Sequence, residues 1–162
     1  GTQATRFLLM QLGPFGSDMD VTTEKFTTTY TAFLSNGLGN LCSRVAKLCE
    51  INGQEFNLQG DVENNTVSLD QKYQEQMNAY NLKEALDLTL EKITQADHFL
   101  STTTPWTQSG TDQYETLSIA VAKILEISRE LTPFMPETAG RITAHFSQKN
   151  IMALSPLFPR IV

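Results

Sequence analysis

Several things are scarce in this sequence. It has two cysteines, one tryptophan and two histidines in 162 residues. No apolar run approaches the ~18 residues that a membrane span needs. Cys42 and Cys49 are seven apart; on one helix, at ~1.5 Å per residue, their Cα atoms would stand about 10 Å apart. A disulfide needs less than about 7 Å, so both are expected to be free thiols in a reducing compartment. His98 and His145 have no cysteine or histidine at metal spacing, and no metal site is expected. There is no Gly-rich phosphate loop, and Ser43 has neither a histidine in sequence reach nor a nucleophile-elbow context. No catalytic residue is assigned. Strand-like alternation is missing throughout.

What is present is an ordinary globular composition, 40% hydrophobic and 19% charged. A chain of this length buries a substantial core. It begins Gly1-Thr2-Gln3, without Met or a basic segment ahead of an apolar one. That start predicts a piece cut from a longer protein rather than a secretory leader. The net charge of −6 counts against a nucleic-acid role, but the acidity is local. Residues 51–100 hold nine acids and three bases, whereas 21–50 hold three bases and two acids. An anion would bind outside the acidic third, through 21–50.

Apolar spacing places the elements. Residues 1–12 read as an apolar helix, broken by Gly13-Pro14-Phe15-Gly16, with turn chemistry at 17–20. Phe7, Leu8, Phe15, Leu157 and Phe158 are apolar residues in terminal pieces too short for a core of their own, which predicts that both termini pack on the rest. A long helix runs from about Thr22, its cap, to Glu50, with Phe26, Tyr30, Phe33, Leu34, Leu38, Leu41, Val45 and Leu48 at steps of three and four. Residues 51–66 read as loop and 68–79 as a short helix. Asn81, with Glu84, is expected to form a capping box for a helix carrying Leu82, Leu86, Leu90, Ile93, Ala96 and Leu100. That helix is expected to dissolve in Ser101–Pro105. Thr111 caps the next, which carries Leu117, Val121, Ile124, Ile127 and Leu131; a short helix at 137–146 and an extended tail follow. The fold class is all-α: an antiparallel bundle of about five helices with an extended C-terminal tail.

The candidate site lies on the polar side of the long helix. Asn36, Asn40 and Arg44 are spaced i, i+4, i+8, with Ser43 and Lys47 beside them. Gly37 and Gly39 interrupt it, each at about 1 kcal/mol against Ala; glycines there mean close approach to the backbone by a neighbouring helix or a ligand. Pro105-Trp106 forms a second piece, an aromatic in a Thr, Ser and Gly-rich break. A large exposed ring suits stacking on an unpaired base, while amides and guanidinium groups bond its edge. Taken alone, the polar stripe is most simply a solvated face and the tryptophan a core or interface anchor.

The ordered motifs weigh further. Asn36-Gly37-Leu38-Gly39-Asn40-Leu41-Cys42-Ser43-Arg44 resembles the "N-x-L-G-N-L-x-x-R" segment of methionyl-tRNA synthetases. Pro14-Phe15-Gly16-Ser17-Asp18-Met19-Asp20-Val21 is similar to the segment preceding that helix, except that Met19 stands where a glycine is usual. Pro105-Trp106, Leu131-Thr132-Pro133-Phe134-Met135-Pro136-Glu137-Thr138-Ala139 and Leu157-Phe158-Pro159-Arg160-Ile161 resemble three further family segments, in order. The lysine common after the Pro-Trp pair in that family is missing here. The resemblance implies the anticodon-binding helical bundle of a class I methionine–tRNA ligase. It implies anticodon contacts at Asn40, Arg44 and Trp106, with Asn36 and Pro105 as neighbours. It divides the chain into 1–20, a remnant of the linker after the catalytic domain, and 21–162, the bundle with its tail. The partners implied are a methionine-accepting tRNA with a CAU anticodon and the protein's own catalytic domain, with no membrane and no DNA, in the cytoplasm. ATP with Mg2+ would serve the parent enzyme; no cofactor is expected in this chain. The "HIGH" and "KMSKS" signatures do not occur, so the chain alone is expected to be catalytically inert. Two other readings stand beside this one: the bundle of another class I synthetase, such as the cysteinyl or leucyl enzyme, and a non-RNA helical module whose acidic 51–100 segment binds a basic protein.

Overall fold

A computed structural model of the chain describes residues 1–13, 18, 21–56 and 69–161. Among the described residues there are six helices and no strand. They are α1 (Thr2–Gln11), α2, α3 (Gln71–Asn78), α4 (Leu82–Thr103), α5 (Gly110–Leu131) and α6 (Pro136–Phe146). The long helix α2 is built of three continuous stretches, Thr23–Thr29, Tyr30–Gly39 and Asn40–Asn52. Thr22 caps it by accepting the Lys25 N–H, Glu24 complements its first turn, and Gly53 ends it in the left-handed region at φ 68°.

The bundle follows from the apolar stripes. Leu34, Leu38, Leu41 and Val45 of α2 meet Leu86, Ile93 and Leu100 of α4 and Leu117, Ile124 and Leu131 of α5, all buried in one core. Each such side chain contributes about 1.5–3 kcal/mol on leaving water. α4 and α5 run antiparallel: Lys92 pairs with Glu130, the Lys123 ammonium lies over the Phe99 ring, and Gln113 reaches the Pro105 carbonyl. Phe7 and Leu8 of α1 are buried in the same core, and so are Leu157 and Phe158 of the tail. Both termini are therefore held by the bundle, as their apolar content predicts. Arg6 donates to the Pro133 carbonyl and Gln11 to Asp87. Phe15 and most of the 14–21 motif lie outside the described residues, as does most of the 51–66 loop.

Some local expectations are corrected. Asn81 stands before α4 without a side-chain cap; its amide donates to Gln76 Oε1 instead. The N-cap of α5 is Ser109, and the helix starts at Gly110 rather than after Thr111. α4 does not dissolve at Ser101. It runs to Thr103, with the hydroxyls of Thr102 and Thr103 bonded back to the carbonyls of His98 and Phe99. Cys42 and Cys49 are free and buried on α2, and burial pushes both thiols up to about 12. No described helix is long and apolar enough to cross a membrane.

Candidate nucleic-acid interface

The middle stretch of α2, Tyr30–Gly39, is a π-helix. At its end the Asn40 N–H reaches back five residues to the Ser35 carbonyl. The two glycines explain why this stretch tolerates the wider turn. A Cβ on Gly39 would stand 2.8 Å from the Leu34 oxygen, and one on Gly37 3.1 Å from the Ala32 oxygen. The close approach foreseen at these positions is thus first to the helix's own carbonyls. The Phe158 ring of the tail, 3.6 Å from the same point on Gly39, comes second. π stretches in proteins occur often at functional sites, and this one carries Asn36, the first residue of the polar stripe, and ends just before Asn40. Gly39→Ala should lower stability by about 1–3 kcal/mol, the scale of overpacking against groups that cannot move aside. The ~1 kcal/mol that alanine gains over glycine in a helix opposes this and is the smaller term. Urea unfolding measures the balance; an unchanged or stabilised variant would contradict the assigned close contact.

On the face of α2 beyond the glycines, Asn36 and Asn40 are exposed. Together with Ser35 and Ser43 they form one wall of an open cavity of about 450 Å3, whose other wall is the tail from Pro156 to Arg160. The tail is fastened there. The Tyr30 hydroxyl donates to the Pro159 carbonyl at 2.8 Å, and the Tyr30 and Phe158 rings meet edge to face at 6.2 Å. Burial raises the Tyr30 pKa, so the hydroxyl stays a donor.

One turn further on, the structure brings Arg44 and Trp106 together across 62 residues of sequence. The Arg44 guanidinium carbon lies 5.7 Å from the centre of the Trp106 ring, within cation–π range. Its Nη1 donates to Asp97 Oδ1 on α4 at 2.6 Å. Arg44 is only partly exposed, and Trp106 is 50% exposed in a single 3₁₀ turn, Pro105–Thr107. Pro105 is buried beneath that turn, where it supports the tryptophan rather than offering a surface. Arg44 and Trp106 do not line the Asn36–Asn40 cavity. The five residues thus form two adjacent pieces: a cleft of amides and hydroxyls, and an aromatic plate with a fixed guanidinium beside it. Such a pair can stack a planar ring and bond its edge. Asp97 was not among the expected site residues; nothing in its local sequence marks it, and only the α2–α4 packing makes it the partner that orients the Arg44 fork. Among the described residues no cluster of acids, histidines and cysteines could hold a metal ion.

Solved structures share this architecture. The apo form of Mycobacterium tuberculosis methionyl-tRNA synthetase superposes with a TM-score of 0.81 at 21% identity, over 100% of this chain and 39% of that one. The same enzyme in complex with methionyl-adenylate gives 0.80 at 21%, over 99% and 38%. The fold of this chain is thus the one that the matched part of those structures has. No protein-family model matches the chain. Individual sequences do. The methionine–tRNA ligase of Clostridium acetobutylicum is 29% identical over 157 residues, 88% of this chain and 24% of that protein. That of Acanthamoeba polyphaga mimivirus is 27% identical over 148 residues, 90% of this chain and 26% of that protein. Along most of its length the chain is similar to methionine–tRNA ligases, and it spans about a quarter of the length of the curated relatives it matches.

Proposed function

We propose that this chain is the anticodon-reading bundle of a methionine–tRNA ligase, the enzyme that attaches methionine to its tRNA. The observation that carries this reading is the half-exposed Trp106 ring with the Arg44 guanidinium held beside it by Asp97. A base stacked on Trp106 has its edge within reach of Arg44, and the Asn40 and Asn36 amides continue the row. The first base of a CAU anticodon is cytosine, whose edge offers one amino donor and two acceptors. An arginine fork supplies donors, and an asparagine amide supplies both donor and acceptor. The acidity of the 51–100 segment lies mostly away from this face of α2, where Arg44 and Lys47, with Arg160 of the tail, are the basic groups beside the site and Asp97 is paired with Arg44.

In the whole protein, residues 1–20 would be the linker from a catalytic domain and 21–162 the tRNA-binding bundle. ATP, with Mg2+, would be used by that catalytic domain, in the cytoplasm. The reading predicts that a labelled methionine-tRNA anticodon stem-loop binds with an affinity that falls as salt rises, and that replacing the first-position cytosine weakens it. Equal affinity for all four first bases would remove anticodon reading. Binding of a basic peptide through the 51–100 segment, with no RNA binding at any salt, would favour a protein-interaction module instead.

A further inference from the structure

The turn that presents Trp106 is not self-supporting. Thr104 is β-branched and sits at φ 46° and ψ 55°, a left-handed conformation that such a residue adopts only when its surroundings hold it. Pro105, which follows, disfavours the right-handed alternative for Thr104 and has no N–H to donate. Within the turn, the Thr107 N–H and hydroxyl both bond to the Thr104 carbonyl, at 2.9 and 2.8 Å. From outside comes Gln113, in the first turn of α5. It is 8% exposed, and its Nε2 donates to the Pro105 carbonyl at 2.9 Å. Its Oε1 accepts from Asn52 Nδ2 at 2.8 Å. Asn52 is the last residue of α2, the helix that carries Arg44. A chain of side-chain amides therefore runs from the end of α2, through a buried glutamine, to the carbonyl that immediately precedes Trp106.

We propose that Gln113, braced by Asn52, is a positioning residue that sets the Trp106 turn against Arg44 and thereby tunes RNA affinity. The amide has one workable orientation. Reversed, it would set Oε1 against the Pro105 carbonyl and its NH2 against the Asn52 NH2, two repulsive contacts in a buried place. The link is directional and ties the spacing of the aromatic plate to the helix bearing the polar stripe. The RNA part of this inference rests on the function proposed above; the positioning part does not.

Trp106 is the only tryptophan in the chain, so its fluorescence reports the turn without any ligand. In Gln113→Met, which keeps the length and loses both hydrogen bonds, Trp106 should show lower anisotropy and faster iodide quenching while far-UV circular dichroism stays native. Asn52→Ala, at a half-buried site, should shift both in the same direction by less, and it keeps the test readable if Gln113→Met does not fold. Stem-loop affinity should fall about three- to tenfold in Gln113→Met, the scale of one net hydrogen bond. That loss should vanish when the substitution is made in a Trp106→Ala background. Anisotropy and quenching unchanged in the folded variants would overturn the proposal, and so would affinity losses that simply add. If the wild-type chain binds no stem-loop, the function proposed above falls, and the fluorescence alone decides whether Gln113 positions Trp106.

Discussion

Lys92→Met should cost the fold about 3–5 kcal/mol in urea unfolding, the loss that follows when one partner of a buried ion pair is removed. The Lys92 ammonium bonds Glu130 Oε1 and Glu126 Oε1, each at 2.6 Å. Glu130 has no exposed surface. Its second oxygen accepts from the Thr89 hydroxyl at 3.2 Å, and its main-chain carbonyl accepts from the Tyr73 hydroxyl at 2.7 Å. The cluster thereby joins α3, α4 and α5. Burial pushes the Glu130 carboxyl above its usual range, more than Lys92 pulls it down. Without Lys92 the carboxylate must stay charged in the interior or take up a proton, and either costs stability. The paired substitution Lys92→Met with Glu130→Leu should recover most of the loss, because apolar replacement of both partners leaves no buried charge. A loss under about 1 kcal/mol for Lys92→Met, typical of exposed pairs, would show that Glu130 is solvated.

The pH dependence of the same cluster has a definite sign. Burial pushes Lys92 toward giving up its proton, yet the bonds to Glu126 and Glu130 together outweigh it, and the pKa is raised from 10.5. A lysine that holds its proton more tightly in the folded chain stabilises the fold fully below its ordinary value. That contribution is lost as pH climbs through the raised one. Tyr73, pushed up to about 12 by burial and by Glu130, adds an alkaline loss of its own. The difference between the wild-type and paired-variant melting curves above pH 10.5 therefore reports Lys92 together with the part of the Tyr73 shift that Glu130 causes.

Most helices were legible because each buries one face, and burial writes a period of three and four into the sequence. Leu86, Leu90, Ile93, Ala96 and Leu100 were placed on one stripe by that spacing alone, and all are buried. The π stretch left no such mark. Its apolar positions keep a spacing that α geometry also accepts, and only Gly37 and Gly39 hinted at crowding. They could not say that the crowding came from the helix's own carbonyls. The cap of α4 was hidden for a related reason: the Asn81 amide bonds Gln76, and a sequence does not show competition between partners. Lys92 with Glu130, Arg44 with Asp97 and Gln113 with Pro105 depend on which helix faces which, so none was visible. Arg44 and Trp106 were put together by the order of motifs and not by physics, since a polar stripe and a lone tryptophan each have a plainer explanation.

Trp106→Ala should weaken stem-loop binding by about 1–3 kcal/mol, the scale of a lost base stack, and should leave the melting curve nearly in place. The ring is 50% exposed and sits in a one-turn element outside the main core. The stability it gives up is the Arg44 contact, about 0.5–1 kcal/mol for an exposed cation–π pair, and the packing of the covered half of the ring. Arg44→Ala should also weaken binding, with a different signature. It removes edge donors and leaves the stacking surface, so it should narrow the difference between cytosine and other first bases, whereas Trp106→Ala should lower affinity for all of them alike. Asp97 is 47% exposed, so water takes over its carboxylate and the fold tolerates the loss of its partner. Arg44→Lys should rescue little: an ammonium can reach Asp97 or the base, but it has no planar fork to bond one while lying against the ring. Titrating the three variants against stem-loops with each first base separates these outcomes. If Trp106→Ala unfolds the chain while affinity per folded molecule is unchanged, the ring is a packing residue and the site lies elsewhere. If Arg44→Lys keeps both affinity and base preference, the guanidinium serves as a point charge toward phosphate, and the cytosine edge is read by the Asn36–Asn40 cleft instead.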